Sequence, residues 1–114
     1  MITVTFHSEA SRIVGFETRG HADLAEPGQP DILCAAVTSA VRLIETTVND
    51  VLGLGAAVKV KERDALISLK LPGSLGQTNE STCQTLLAAF MVYCAELHEE
   101  YPQHLEVINL DSKE

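Results

Sequence analysis

Apolar and polar residues alternate over ITVTFH, residues 2–7, with Ile2, Val4 and Phe6 on one side and Thr3, Thr5 and His7 on the other. A period of two is the mark of a half-buried strand. SEASR turns the chain, and IVGFETRG follows as a second strand. Residues 22–30 are rich in turn formers and charge and read as a loop. From about Ile32 to Leu52 the period lengthens. Leu33, Val37, Ala40, Val41, Ile44, Val48 and Val51 gather on one side, while Thr38, Ser39, Arg42, Glu45, Thr46, Asn49 and Asp50 gather on the other. That is an amphipathic helix, stopped near Gly53 and Gly55. AAVKVKE and ALISLKLP alternate again on either side of Arg63-Asp64, which predicts a hairpin. After the break at Pro72-Gly73 a second helix is expected from about Glu80 to Tyr101, ending before Pro102. HLEVINL closes the chain as a strand. The order ββαββαβ predicts an α+β fold, a mostly antiparallel sheet covered by two amphipathic helices.

At 114 residues the chain is expected to form one domain, residues 1–114, large enough for a core without disulfides or metal. Eight Lys and Arg against sixteen Asp and Glu give a net charge of −8. Such a chain is poorly suited to nucleic acid, whose phosphates repel it, and better suited to a basic protein partner. Three cysteines, an odd number without regular spacing, argue for a reducing compartment and against a disulfide framework. MITVTFHS lacks the features of a signal peptide, and the longest apolar run, LLAAFMVYCA, is too short to span a bilayer. A cytoplasmic protein with no membrane association is therefore expected. No Cys-x-x-Cys, His-x-x-x-His, nucleotide-binding Gly-Lys loop or dinucleotide fingerprint is present, so neither a metal nor a cofactor is expected. Arg12, Arg19, Lys59, Lys61 and Lys70 read as solvated strand residues, and His7, His98 and His104 as surface or element-end residues.

The chemistry of interest lies in GHADLAEPGQPDILCAAVTSA, residues 20–40. Asp31 is a good helix N-cap, which puts Cys34 in the first turn. The unpaired N–H groups there carry partial positive charge and favour a thiolate. By helical periodicity Cys34 falls at the edge of the polar arc, in line with Thr38 and Glu45, rather than within the apolar stripe. Cys83 and Cys94 instead join Leu87, Phe90, Leu97 and Tyr101 in a continuous apolar face and read as small core or interface residues. Taken alone, the position of Cys34 suits an inert buried thiol as well as a reactive one.

A nucleophilic thiol needs an imidazole to take its proton. His21 ends the second strand, thirteen positions before Cys34, and a loop of that length can bring the two together. The alternative is a strand-end histidine with no chemical role. Asp31 serves mainly as a cap and could also orient His21. The N–H groups of the helix tip are candidate oxyanion donors.

Gly20-His21-Ala22, then Ala25-x-x-Gly28, then Asp31-Ile32-Leu33-Cys34-Ala35-Ala36-Val37 resembles the signature of the bacterial ribosomal-processing cysteine protease family, Prp. Its pattern is Gly-His-Ala, a mobile loop, then Asp-Ile-Val-Cys-Ala-Ala-Val-Ser. The resemblance implies a dimeric cysteine endopeptidase with a His–Cys dyad that removes an N-terminal extension from a large-subunit ribosomal protein. It makes His21 the base, Cys34 the nucleophile and Asp31 the motif's acidic residue. The loop from Ala22 to Pro30, with Ala25 and Gly28, becomes the cover that orders over substrate. Two positions depart from the pattern. Gln29-Pro30 make the loop one residue longer, and Thr38 replaces a serine, keeping the hydroxyl and adding a methyl. The rival reading is a non-catalytic dimeric protein that binds a basic ribosomal protein during assembly, which the acidic charge supports equally well.

Overall fold

Alternation at the N-terminus gives β1, Ile2–Glu9, in which Ile2, Val4 and Phe6 are buried. A computed structural model describes residues 1–22 and 31–112. β1 turns back into β2, Arg12–Arg19, through Ala10 and Ser11, both at positive φ. Two left-handed residues are what a tight two-residue hairpin requires, even without the usual Asn-Gly. Opposite His7 and Ser8 the register slips, so that β2 bulges at Val14. The carbonyl of Val14 accepts the N–H of Leu71 at 2.8 Å. The side-chain amide of Gln84 pairs with both backbone groups of Ile13 at 2.8 Å. The irregular stretch thus keeps its hydrogen bonds.

After the first helix, α1 (Ile32–Glu45), come β3 (Ala57–Lys61) and β4 (Leu66–Lys70), then α2 (Gln77–Glu100) and β5 (Leu105–Ser112). The sheet order is β3-β4-β2-β1-β5. All neighbours are antiparallel except β1 and β5. The ββαββαβ, mostly antiparallel α+β architecture is the expected one. The crossovers β2–α1–β3 and β4–α2–β5 start from strands of opposite sense and move in opposite directions across the sheet. Right-handed crossovers therefore put both helices on one face. Under them Phe6, Phe16 and Phe90 pack edge to face or tilted, with ring centroids 4.9–6.2 Å apart. Cys83 and Cys94 lie in the same core, as their helical spacing predicts.

Both helices differ from expectation at one boundary. The regular part of α1 ends at Glu45, and the backbone widens into a π-helix over Thr46–Val51. α2 begins at Gln77 rather than Glu80, with Gly76 before it at φ 79° and no side-chain cap to signal the start. Arg12 is no solvated strand residue: it pairs with Glu80 and donates to the carbonyl of Pro72 at 2.9 Å, tying β2 to α2. The 20 residues Ile32–Val51 are long and apolar enough to cross a bilayer by length and composition alone. Counting unbroken apolar runs overlooks them because their apolar positions are interleaved with polar ones. That stripe, Leu33, Val37, Val41, Ile44 and Val48, packs into the core.

One glycine decides where β2 ends. Gly20 sits at φ 92°, its N–H donates to the carbonyl of Ala65 at 3.2 Å, and a Cβ there would lie 2.4 Å from the carbonyl oxygen of Met1. Gly53, also at positive φ, has open space around it. Gly20→Ala therefore meets both a strained backbone and a clash, while Gly53→Ala meets only strain. Gly20→Ala is expected to cost roughly 1–3 kcal/mol, lowering Tm by several degrees, and to exceed Gly53→Ala. Thermal unfolding showing equal Tm values for the two variants would contradict this packing.

Candidate active site

The start of α1 is built around Asp31. Its Oδ1 accepts the N–H of Leu33 at 3.0 Å and of Cys34 at 3.1 Å, the geometry of a capping carboxylate. Leu33 is 1% exposed and locks the rotation of the helix into the core. Cys34, about 100° further round, is carried to the border and is half-buried. Thr38, one turn on, is exposed.

The other side of the site comes from the end of β2. Past Gly20 the chain presents His21 to solvent, while the methyl of Ala22 is fully buried. The N–H of Ala22 donates to Cys34 Sγ at 3.3 Å. His21, Cys34 and Thr38 line one cleft of about 350 Å³, whose floor and far wall include Thr18, Val60 and Ile67. The structure thus brings together three of the residues singled out in the sequence and places Asp31 beneath them as the helix cap. Ala22 is an anchor in the core at the point where the expected cover begins. Ala25, Gly28 and the remainder of that loop lie outside the described residues.

A larger depression of about 590 Å³ lies on the helix-free face of the sheet, over Gly15 and between Glu17, Lys59 and Lys70. It holds no cysteine, so size alone does not locate the chemistry. His104, expected as an element-end residue, sits before β5, and its ring Nδ1 lies 2.8 Å from the carbonyl oxygen of Ala22. Nothing in the local sequence signals that contact, because the partners are 82 positions apart.

The electrostatics correct one expectation. The N–H groups of Leu33 and Cys34 are engaged by the Asp31 carboxylate, and that of Ala35 donates to the Asp31 carbonyl at 3.0 Å. Those groups are therefore not waiting for an oxyanion. The helix end carries about half a positive charge, and the capping carboxylate sets a full negative charge against it. The N–H of Ala22 is a donor to the Cys34 sulfur from outside the helix. The two core cysteines are in the opposite situation. Burial pushes Cys94 up to about 12, and burial followed by the nearby Glu80 raises Cys83.

Residues 1–106 match the family described as cysteine protease Prp, and the chain belongs to that family. The ribosomal processing cysteine protease Prp of Bacillus subtilis (strain 168) is 30% identical over 108 residues, covering 94% of this chain and 96% of its own. Two solved structures share the fold. SMU.848 from Streptococcus mutans superposes with a TM-score of 0.81 at 24% identity, over 98% of this chain and 96% of that one. The essential ribosomal processing protease Prp from S. aureus, solved with a covalently linked product peptide, gives 0.81 at 20% identity, over 96% and 99%. The protein is accordingly a cysteine peptidase of the Prp family.

The three thiols should separate on alkylation. Cys34 borders a cleft, whereas Cys83 and Cys94 are fully buried and hold their protons. Iodoacetamide at neutral pH on the native protein is expected to give a single adduct, mapped to Cys34 by peptide mass spectrometry, with the other two reacting only after unfolding. Comparable labelling of all three in the native state would contradict the assignment.

Proposed function

We propose that this protein cuts an N-terminal extension from a large-subunit ribosomal protein by means of a His21–Cys34 dyad. The observation that carries the proposal is the cleft in which a strand-end imidazole and a half-buried thiol at the start of a helix face the same space, with a main-chain N–H directed at the sulfur. Residues 1–114 would act as one domain. An extended peptide lies over Thr18, Val60 and Ile67 with its scissile carbonyl at Cys34. His21 takes the proton from Sγ. The thiolate attacks the carbonyl carbon and a tetrahedral oxyanion forms. As the C–N bond breaks, His21 returns the proton to the leaving amine and a thioester remains. His21 then removes a proton from water, hydroxide attacks the thioester, and the thiol is regenerated with release of the new carboxylate. Asp31 contributes by fixing the helix start that carries the sulfur. Thr38 lines the cleft one turn away, its hydroxyl within the space a substrate fills. The segment with Ala25 and Gly28 would cover the bound peptide.

The net charge of −8 favours a basic protein as partner and disfavours nucleic acid. Three cysteines without a disulfide suit the cytoplasm. A homodimer is supported by the apolar groove between the helices, where Ala36, Ala40, Leu43, Ala89 and Tyr93 stand together and Leu43 is 64% exposed. Light scattering at micromolar concentration is expected to give twice the chain mass, and a monomer mass would remove the dimer.

Cleavage is tested with a ribosomal protein carrying an N-terminal extension, read by mass spectrometry. Wild-type protein is expected to shorten it. Cys34→Ala should abolish shortening with the fold intact, and His21→Ala should slow it by about 10²-fold or more. An intact partner retained in a complex with wild-type protein would instead identify a binding protein. Normal cleavage by Cys34→Ala would overturn the mechanism.

A further inference from the structure

We propose that His104 is a positioning residue for the nucleophile: through its hydrogen bond to the Ala22 carbonyl it aims the Ala22 N–H at the Cys34 sulfur. The inference rests on Cys34 being the nucleophile of the cleavage reaction. His104 does not touch the sulfur. It holds one end of the residue whose other end does, with 2.8 Å from Nδ1 to the carbonyl oxygen and 3.3 Å from the N–H to Sγ. A carbonyl oxygen only accepts, so Nδ1 carries the hydrogen.

His104 can act in this way because it is itself pinned. Its N–H donates to the carbonyl of Tyr101 at 3.0 Å, and its carbonyl accepts the N–H of Ile2 at 2.9 Å. The ring is thus referenced to the end of α2 and the start of β1. Met1, the neighbour of Ile2, is the residue against which Gly20 packs. One small region of backbone consequently fixes the chain before His21 and the chain after it. The Ala22 methyl, fully buried, adds a third restraint. The Ala22 carbonyl and N–H belong to the two peptide units that meet at its Cα, so a turn of the chain about that Cα, once the carbonyl is released, would carry the N–H away from the sulfur. A hydrogen bond to an ionised acceptor is worth roughly twice one to a neutral acceptor, so the lost stabilisation would fall mainly on the thiolate.

The test compares His104→Leu, His104→Asn and His104→Gln. Asn places an N–H donor where Nδ1 was, Gln places one further out, and Leu has none. His21, Lys61 and Glu62, which line the cleft with Cys34, and Asp31, which caps the Cys34 N–H, are the same in all three. For Leu we expect alkylation of Cys34 by iodoacetamide at neutral pH to slow roughly tenfold, its pH midpoint to rise, and kcat to fall with KM little changed. Asn should return alkylation and kcat to within about twofold of wild type, and Gln should not. Wild-type thiol reactivity in His104→Leu, or equal impairment in Asn and Leu, would overturn the inference. If His104→Leu fails to fold by thermal unfolding, the Asn and Gln variants decide it, and equal behaviour of those two would likewise overturn it. Alkylation reads the sulfur directly, so these results are independent of whether Cys34→Ala removes peptide cleavage.

Discussion

The burial of Leu33 is the constraint from which the site follows. Its side chain is 1% exposed and sits in a stripe with Val37, Val41 and Ile44, so α1 has one rotation open to it on the sheet. Burying a leucine is worth roughly 1.5–3 kcal/mol, and every member of the stripe adds to the preference. With the rotation set, the next residue has no choice of direction. Cys34 must emerge at the border between core and solvent, where a thiol is reachable yet partly removed from water. Had the stripe begun one residue later, the same cysteine would be a core residue like Cys83.

The partner of that helix start is the end of β2, fixed by other means. Gly20 passes the Met1 carbonyl at a distance no side chain permits, and Ala22 then drops its methyl into the core. Between these two fixed points His21 is exposed. Helix and strand are thus each positioned by packing, and the Ala22 N–H to sulfur contact joins them. Asp31 meanwhile occupies the helix tip. Its carboxylate makes the helix start well defined and removes the open tip as an anion site. Geometry is gained at the cost of local positive field at the helix start.

Much of this was legible in the sequence, and what was not has identifiable causes. Strands and helices followed from periods of two and 3.6, and the phase of Cys34 relative to Leu33 gave its border position. The Asp31 cap was visible because the contact is local, two and three residues away. Contacts between distant positions left no such trace. Arg12 looked like any strand arginine until Glu80 and Pro72 were folded beside it, and His104 like any histidine before a strand. The early start of α2 was hidden because Gly76 offers no capping side chain. The oxyanion role given to the helix tip failed for a different reason: a carboxylate cannot cap those N–H groups and leave them open.

The two departures from the family pattern can be weighed in the same terms. An added residue between Gly28 and Asp31 lies between two anchors, Ala22 and Asp31, that are held by core packing and backbone hydrogen bonds. By the logarithmic scaling of closure entropy, going from seven to eight residues between fixed ends costs on the order of 0.1 kcal/mol, far too little to displace a buried Ala22 or a capped helix start. Thr38 is exposed on the cleft, so its extra methyl displaces water rather than a core side chain. Thr38 lies in α1 itself but is exposed, apart from the buried Leu33 and the Asp31 cap that set the helix. Thr38 lines the same cleft as His21 and Cys34, so its extra methyl bears on what the cleft admits rather than on the assembly of the site.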